Sequence, residues 1–141
     1  MEAVDFVPVL ERIVMPWLET VCVFAGSGCG AVLRWQASRV LAVLTPGFPL
    51  GTTVVNLVGC FLIGCASAWL APRGHVPSHW RLLLTTGFLG GFTTFSTFSL
   101  ETVQLLAVRP GQGMALIVAK VASCLLLTWA GLAVTGRLLG S

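Results

Sequence analysis

The sequence predicts an all-α membrane protein of four spanning helices, on three observations. Hydrophobic residues make up 56% of the chain and charged residues only 9%. The mean hydropathy is +0.94. Four long apolar stretches follow one another with only short turn-forming segments between them. An ordinary soluble domain carries about 25% charged residues and could not cover its surface with so few, so the solvent must be largely lipid. With 141 residues there is room for one domain, and it is expected to occupy 1–141 as a single transmembrane unit.

The amino terminus is acidic, with Glu2, Asp5, Glu11 and Glu19 against Arg12, and lacks the basic region of a signal peptide. The first span is therefore expected to be retained. Residues 1–16, around Pro8 and Pro16, suit a short interfacial segment or a frayed end. The first span, about 17–44, is long enough to cross the roughly 20 residues of a hydrocarbon core. Within it Arg34 follows Gly26-Ser27-Gly28-Cys29-Gly30-Ala31. A charge facing lipid is costly, so Arg34 either snorkels to an interface or lines a water-filled vestibule, and the vestibule is favoured.

Thr45-Pro46-Gly47 separates this span from the second, 48–71. There Asn56 sits near the centre, and an amide in hydrocarbon needs a partner. It serves either a neighbouring helix or a passing anion. Gly59 and Gly64 permit close helix approach. Pro72-Arg73-Gly74 and Pro77 lead into the third span, 79–106, and Pro110-Gly111 with Gly113 into the fourth, 113–139. The fourth carries Lys120, Ser123 and Thr128. Linkers this short require neighbouring helices to run antiparallel.

The third span holds the most informative string, from Gly87 to Ser99. Adjacent glycines, poor helix formers, precede β-branched threonines whose hydroxyls compete for backbone carbonyls. The helix is expected to break there, at mid-membrane. At bilayer depth a break survives only where protein encloses it or where it coordinates something polar. Gly87 and Gly91 also have the GxxxG spacing of a packing face. The hydroxyls of Thr93, Thr94, Ser96, Thr97 and Ser99 favour a polar pathway. Phe95 and Phe98 lie at i and i+3 on one face beside them, and a phenyl ring presented edge-on can stabilise an anion. Glu101, toward the end of this span, pairs with a base or marks the interface.

The eight basic residues are scattered, which leaves no electrostatic footprint for nucleic acid. Cys22, Cys29, Cys60, Cys65 and Cys124 fall inside apolar stretches without metal-ligand spacing and read as small buried hydrophobes. Arg12, Arg73, Arg81 and Arg137 fall on the side of the termini and Arg39 and Arg109 on the other. This is a weak orientation bias. Such a chain could insert both ways and pair antiparallel with its own copy, although charge alone slightly favours a plain termini-inside protein.

Taken together, Gly28-x-Gly30-Ala31-x-x-Arg34, Gly51-Thr52-x-x-x-Asn56-x-x-Gly59 and the third-span string closely resemble the CrcB/Fluc family of fluoride channels. The resemblance implies an antiparallel, dual-topology homodimer, or a pair with a paralogous subunit, in an inner or plasma membrane. It implies two pores along the subunit interface. By position Phe95 and Phe98 match the pore phenylalanines and Asn56 the pore asparagine. Gly90 and Thr93 match the residues whose carbonyls hold a structural Na⁺. Arg34, Glu101 and Ser123 match the first-span arginine, the glutamate after the third-span motif and a fourth-span polar residue. With Thr94, Ser96 and Thr97 they complete the expected fluoride pathway.

The function expected is passive, selective export of F⁻, with no enzymatic activity. A small four-span proton-coupled exporter is the nearest alternative, but it needs a mid-bilayer carboxylate, and Glu19 and Glu101 lie toward span ends. A membrane scaffold using its GxxxG faces is a further alternative. An intramembrane enzyme is disfavoured, because His75 and His79 stand in a loop and no nucleophile shares a helical face with a base.

Overall fold

A computed structural model describes residues 17–46 and 48–140. The segment expected at 1–16, Gly47 of the first turn and Ser141 lie outside the described residues. Among the described residues all regular structure is helical. Helix α1 covers Trp17–Leu44 and α2 covers Leu50–Leu70. The third stretch starts as α3 (Ser78–Leu82), widens into a π-helix (Leu83–Leu89) and returns as α4 (Gly90–Phe92). After Thr93 and Thr94 it resumes as α5 (Phe95–Val108), and α6 covers Pro110–Leu139.

Helices α2 and α6 combine the length and apolarity needed to cross a membrane on their own. The 21 residues of α2 rise roughly 30 Å, the thickness of a hydrocarbon core. The longer α1 carries Glu19, Arg34 and Arg39, and the third stretch is divided. Large apolar side chains such as Phe24, Trp35, Leu125 and Trp129 are exposed along the helices. Such an outer surface suits lipid as solvent.

Where the sequence places a turn at Pro110-Gly111, the chain has already begun α6. Pro110 occupies its first turn, where a missing N–H costs nothing and φ is preset for helix. Arg109 alone joins α5 to α6.

Two close helix pairs organise the fold. In the first, α1 lies against the 78–92 stretch. A Cβ on Gly30 would stand 2.1 Å from the Phe88 carbonyl oxygen, and one on Gly91 would stand 2.4 Å from that of Ser27. In the second, α2 lies against α6. A Cβ on Gly64 would meet the Thr128 carbonyl at 2.2 Å, and one on Gly131 would meet that of Phe61 at 2.3 Å. Backbones this close gain dispersion contact that side chains would prevent. The GxxxG reading of Gly87 and Gly91 therefore holds alongside the local departure from helix, since both glycines face α1. Phe98, Leu105 and Leu116 form a buried cluster that ties α5 to α6.

Candidate pore site

Glycines 90 and 91 stay helical, and it is the two threonines after them that leave the helix. Thr93 has φ −88° and ψ 157°, and Thr94 has φ −150° and ψ 122°. The Thr93 hydroxyl donates back to the Leu89 carbonyl at 3.0 Å, the side-chain competition expected of a threonine inside a helix. The Thr94 hydroxyl then accepts from the Thr97 amide at 3.3 Å, capping α5.

Asn56 of α2 stabilises the extended backbone from outside. Its amide nitrogen donates to the Thr94 carbonyl at 2.8 Å, and its amide oxygen accepts from the Thr94 N–H at 2.8 Å. One buried side chain thus replaces the helical bond that the Thr94 N–H gives up and adds a partner to a carbonyl that, at the N-cap of α5, also accepts the first bond of that helix. The second N–H of the amide is not used in this clamp.

These diversions free carbonyls upstream. In an unbroken helix the amides of Thr94 and Thr97 would donate to the carbonyls of Gly90 and Thr93. Here they go to the side chains of Asn56 and Thr94. Arg34 reaches across from α1 and donates through Nε to the Gly91 carbonyl at 3.1 Å, so this guanidinium braces the interruption.

Beside the interruption lies a cavity of about 280 Å³ lined by Asn56, Thr93, Thr94, Phe95, Phe98 and Lys120, among others. Phe95 and Phe98 meet edge to face, with centroids 5.6 Å apart and planes at 65°. Phe98 is buried, whereas Phe95 is 75% exposed. The hydroxyls of Thr94, Ser96 and Thr97 are linked, with Thr94 Oγ1 at 3.3 Å from that of Ser96 and 3.1 Å from that of Thr97.

Behind Phe98 a polar chain joins three helices. Lys120 Nζ of α6 sits 4.4 Å from the Phe98 ring centroid and donates to Thr52 Oγ1 of α2 at 3.5 Å. Thr52 donates to the Glu101 carboxylate of α5, which borders a separate cavity with Thr45, Gln104 and Arg109. Ser123 lines a third cavity, with Thr53 and Gln112.

Of the residues picked out from the sequence, Asn56, Thr93, Thr94, Phe95 and Phe98 share one cavity. Arg34, Glu101 and Ser123 stand away from it. The sequence offers no role for Thr52 and no partner for Lys120. Thr52 lies four residues before Asn56, on the same face of α2, and that spacing was the available signal. Among the described residues no group of three or more His, Cys, Asp and Glu is placed to hold a metal.

The profile of the family described as CrcB-like protein, Camphor Resistance (CrcB) matches residues 21–132. Three relatives are each described as fluoride-specific ion channel FluC. The protein from Methylobacterium nodulans is 49% identical over 89 residues, 63% of this chain and 72% of its own length. That from Serratia proteamaculans is 55% identical over 84 residues, covering 60% and 66%. That from Burkholderia pseudomallei is 50% identical over 99 residues, covering 70% and 77%.

Proposed function

Because the chain belongs to the CrcB family, we propose that it is a fluoride-selective ion channel through which F⁻ leaves the cytoplasm down its electrochemical gradient. It is a channel and not an enzyme. The observation that carries the reading is the cavity where Asn56, the extended Thr93 and Thr94, and the Phe95–Phe98 pair converge, in a chain about half identical, over 60–70% of its length, to proteins described as fluoride-specific channels.

Fluoride is small and tightly hydrated, so a pore must replace its water with several closely spaced donors of modest individual strength. The unused Asn56 N–H, the hydroxyls about Thr94 and the positive ring edges of Phe95 and Phe98 are donors of that kind. The interruption at Thr93 and Thr94 is taken to lie at mid-bilayer in the third of four spans, where it is tolerated because Asn56 and Arg34 satisfy the exposed backbone.

The carbonyls of Gly90 and Thr93, whose helical amides are diverted, fit the hard oxygen donors that Na⁺ takes. Two carbonyls are too few to enclose a cation, so an antiparallel second copy would supply the others. Such an ion would add fixed positive charge between the subunits. The same copy would cover the exposed Phe95 and close the pore wall. An inner or plasma membrane is the proposed location.

The test is fluoride-electrode measurement on liposomes containing the purified protein. The wild type should release fluoride and retain chloride. Phe95→Ile and Phe98→Ile should each slow fluoride release by about two orders of magnitude, the scale of roughly 2.7 kcal/mol in a barrier, with the protein still eluting as an assembled species. Undiminished release from both variants would remove the phenylalanines from the pathway.

A further inference from the structure

Lys120 is the buried charged residue that this mechanism leaves unused, 4% exposed in the interior of an apolar molecule. An ammonium so buried needs compensation. Its hydrogen bond to Thr52 is long, at 3.5 Å, and an ammonium has three N–H donors. The Glu101 carboxylate lies one hydroxyl further on, and the face of Phe98 supplies the remaining stabilisation. Lys120 also lines both the cavity holding Asn56, Phe95 and Phe98 and the cavity holding Ser123.

We propose that Lys120 is a built-in cationic binding group of this chain's anion pathway, recruiting small dehydrated anions into the cavity beside Phe98. The inference rests on the channel reading above and adds a residue and a charge to it. A fixed ammonium in a low-dielectric cavity attracts an anion far more strongly than one in water, and it offsets part of fluoride's dehydration cost. With one ring face of Phe98 occupied by the ammonium, the ring's polarisation toward its positive edge increases, and the edge is the part that favours anions. Unopposed, such a charge would hold fluoride too firmly for conduction. Glu101, coupled through Thr52, weakens the attraction and keeps the site exchangeable. Lys120 therefore governs occupancy at low fluoride more than the maximal rate.

The experiment measures initial fluoride efflux from liposomes over a range of internal fluoride concentrations for wild type, Lys120→Met, Glu101→Gln and the Lys120→Met/Glu101→Gln double variant. Lys120→Met should raise the half-saturating concentration by about tenfold or more, the equivalent of roughly 1.4 kcal/mol, and change the saturated rate much less. The double variant separates recruitment from mere neutralisation of Glu101. It should keep the raised half-saturation although it has no uncompensated buried charge, so it also serves if Lys120→Met alone fails to fold. A double variant with wild-type half-saturation would show that Lys120 only balances Glu101 and would overturn the proposal. Wild-type behaviour of Lys120→Met would do the same. A wild-type protein that releases no fluoride at all overturns the channel reading itself, a result distinguishable from either.

Discussion

Asn56 has the most demanding task of any single side chain, since it hydrogen-bonds both the N–H and the carbonyl of Thr94 at 2.8 Å. Removing it leaves the Thr94 N–H unpaired, at about 1–3 kcal/mol, and takes one partner from the Thr94 carbonyl. Asn56→Leu should therefore lower the thermal midpoint of the detergent-solubilised protein and abolish fluoride release. Asn56→Asp keeps an acceptor for the Thr94 N–H but turns an oxygen toward its carbonyl, so it should fall between the two. A Leu variant as stable as the wild type would mean that the extended backbone does not depend on this clamp. The need of Asn56 for a buried partner was legible in the sequence, because an amide in an apolar stretch has few alternatives. That its partner is backbone and not side chain was not legible, since it depends on where Thr94 leaves the helix. The chain from Lys120 through Thr52 to Glu101 was hidden for the same reason. Its members lie 68 and 49 residues apart in pairs, and local spacing carries no trace of such contacts.

Among the helices, the all-helical class was readable from apolar stretches whose length matches a bilayer, and so were the glycines that let them approach. The π-helix of Leu83–Leu89 was not readable. A single extra residue per turn leaves composition and polarity unchanged, and only the i→i+5 hydrogen bonds distinguish it. The threonine-rich string pointed to a departure from helix but not to its residues, because glycine's poor propensity is outweighed when its missing side chain admits a neighbouring backbone. That balance makes the glycine contacts testable as elements. In Gly64→Ala and Gly131→Ala the new Cβ would meet α6 or α2 backbone at 2.2 and 2.3 Å, so the helices must separate. Each variant should lose several kcal/mol of packing, at the scale of other core disruptions, and give little folded protein on size exclusion. Gly111→Ala meets nothing within 4 Å and should be neutral or gain up to about 1 kcal/mol from helix propensity. Equal tolerance of all three would dissolve the packing argument.

For the whole molecule, the question is how an open cavity becomes a closed pore. Phe95 borders the cavity and is 75% exposed, so lipid or protein must cover it. Lipid tails would seal the path without offering a single donor, whereas an inverted copy would bring a second set of phenyl rings and carbonyls to the same place. Insertion in both orientations requires that neither end of the molecule dominate in basic residues. With adjacent helices antiparallel, Arg73, Arg81 and Arg137 lie at one end and Arg39 and Arg109 at the other among the described residues. Two of these guanidiniums stack on their own tryptophans, Arg39 on Trp35 at 5.0 Å and Arg73 on Trp69 at 4.5 Å, which anchors one charge at each end. Arg12 in the amino-terminal segment adds a fourth to the side of the termini, and four against two is too weak a bias to impose a direction. Gly74 lies in the turn after α2 with open space around it and is a suitable reporter. In a variant with Cys22, Cys29, Cys60, Cys65 and Cys124 replaced, Gly74→Cys should react with a membrane-impermeant maleimide in about half of the molecules in intact cells. The remaining half should react only after permeabilisation. Adding two lysines beside Gly74 should shift the labelled fraction strongly to one side and lower fluoride release in parallel, because inverted partners become scarce. Complete protection or complete labelling of the unmodified turn, with full fluoride release, would show that a single orientation suffices and that something other than an inverted copy covers Phe95.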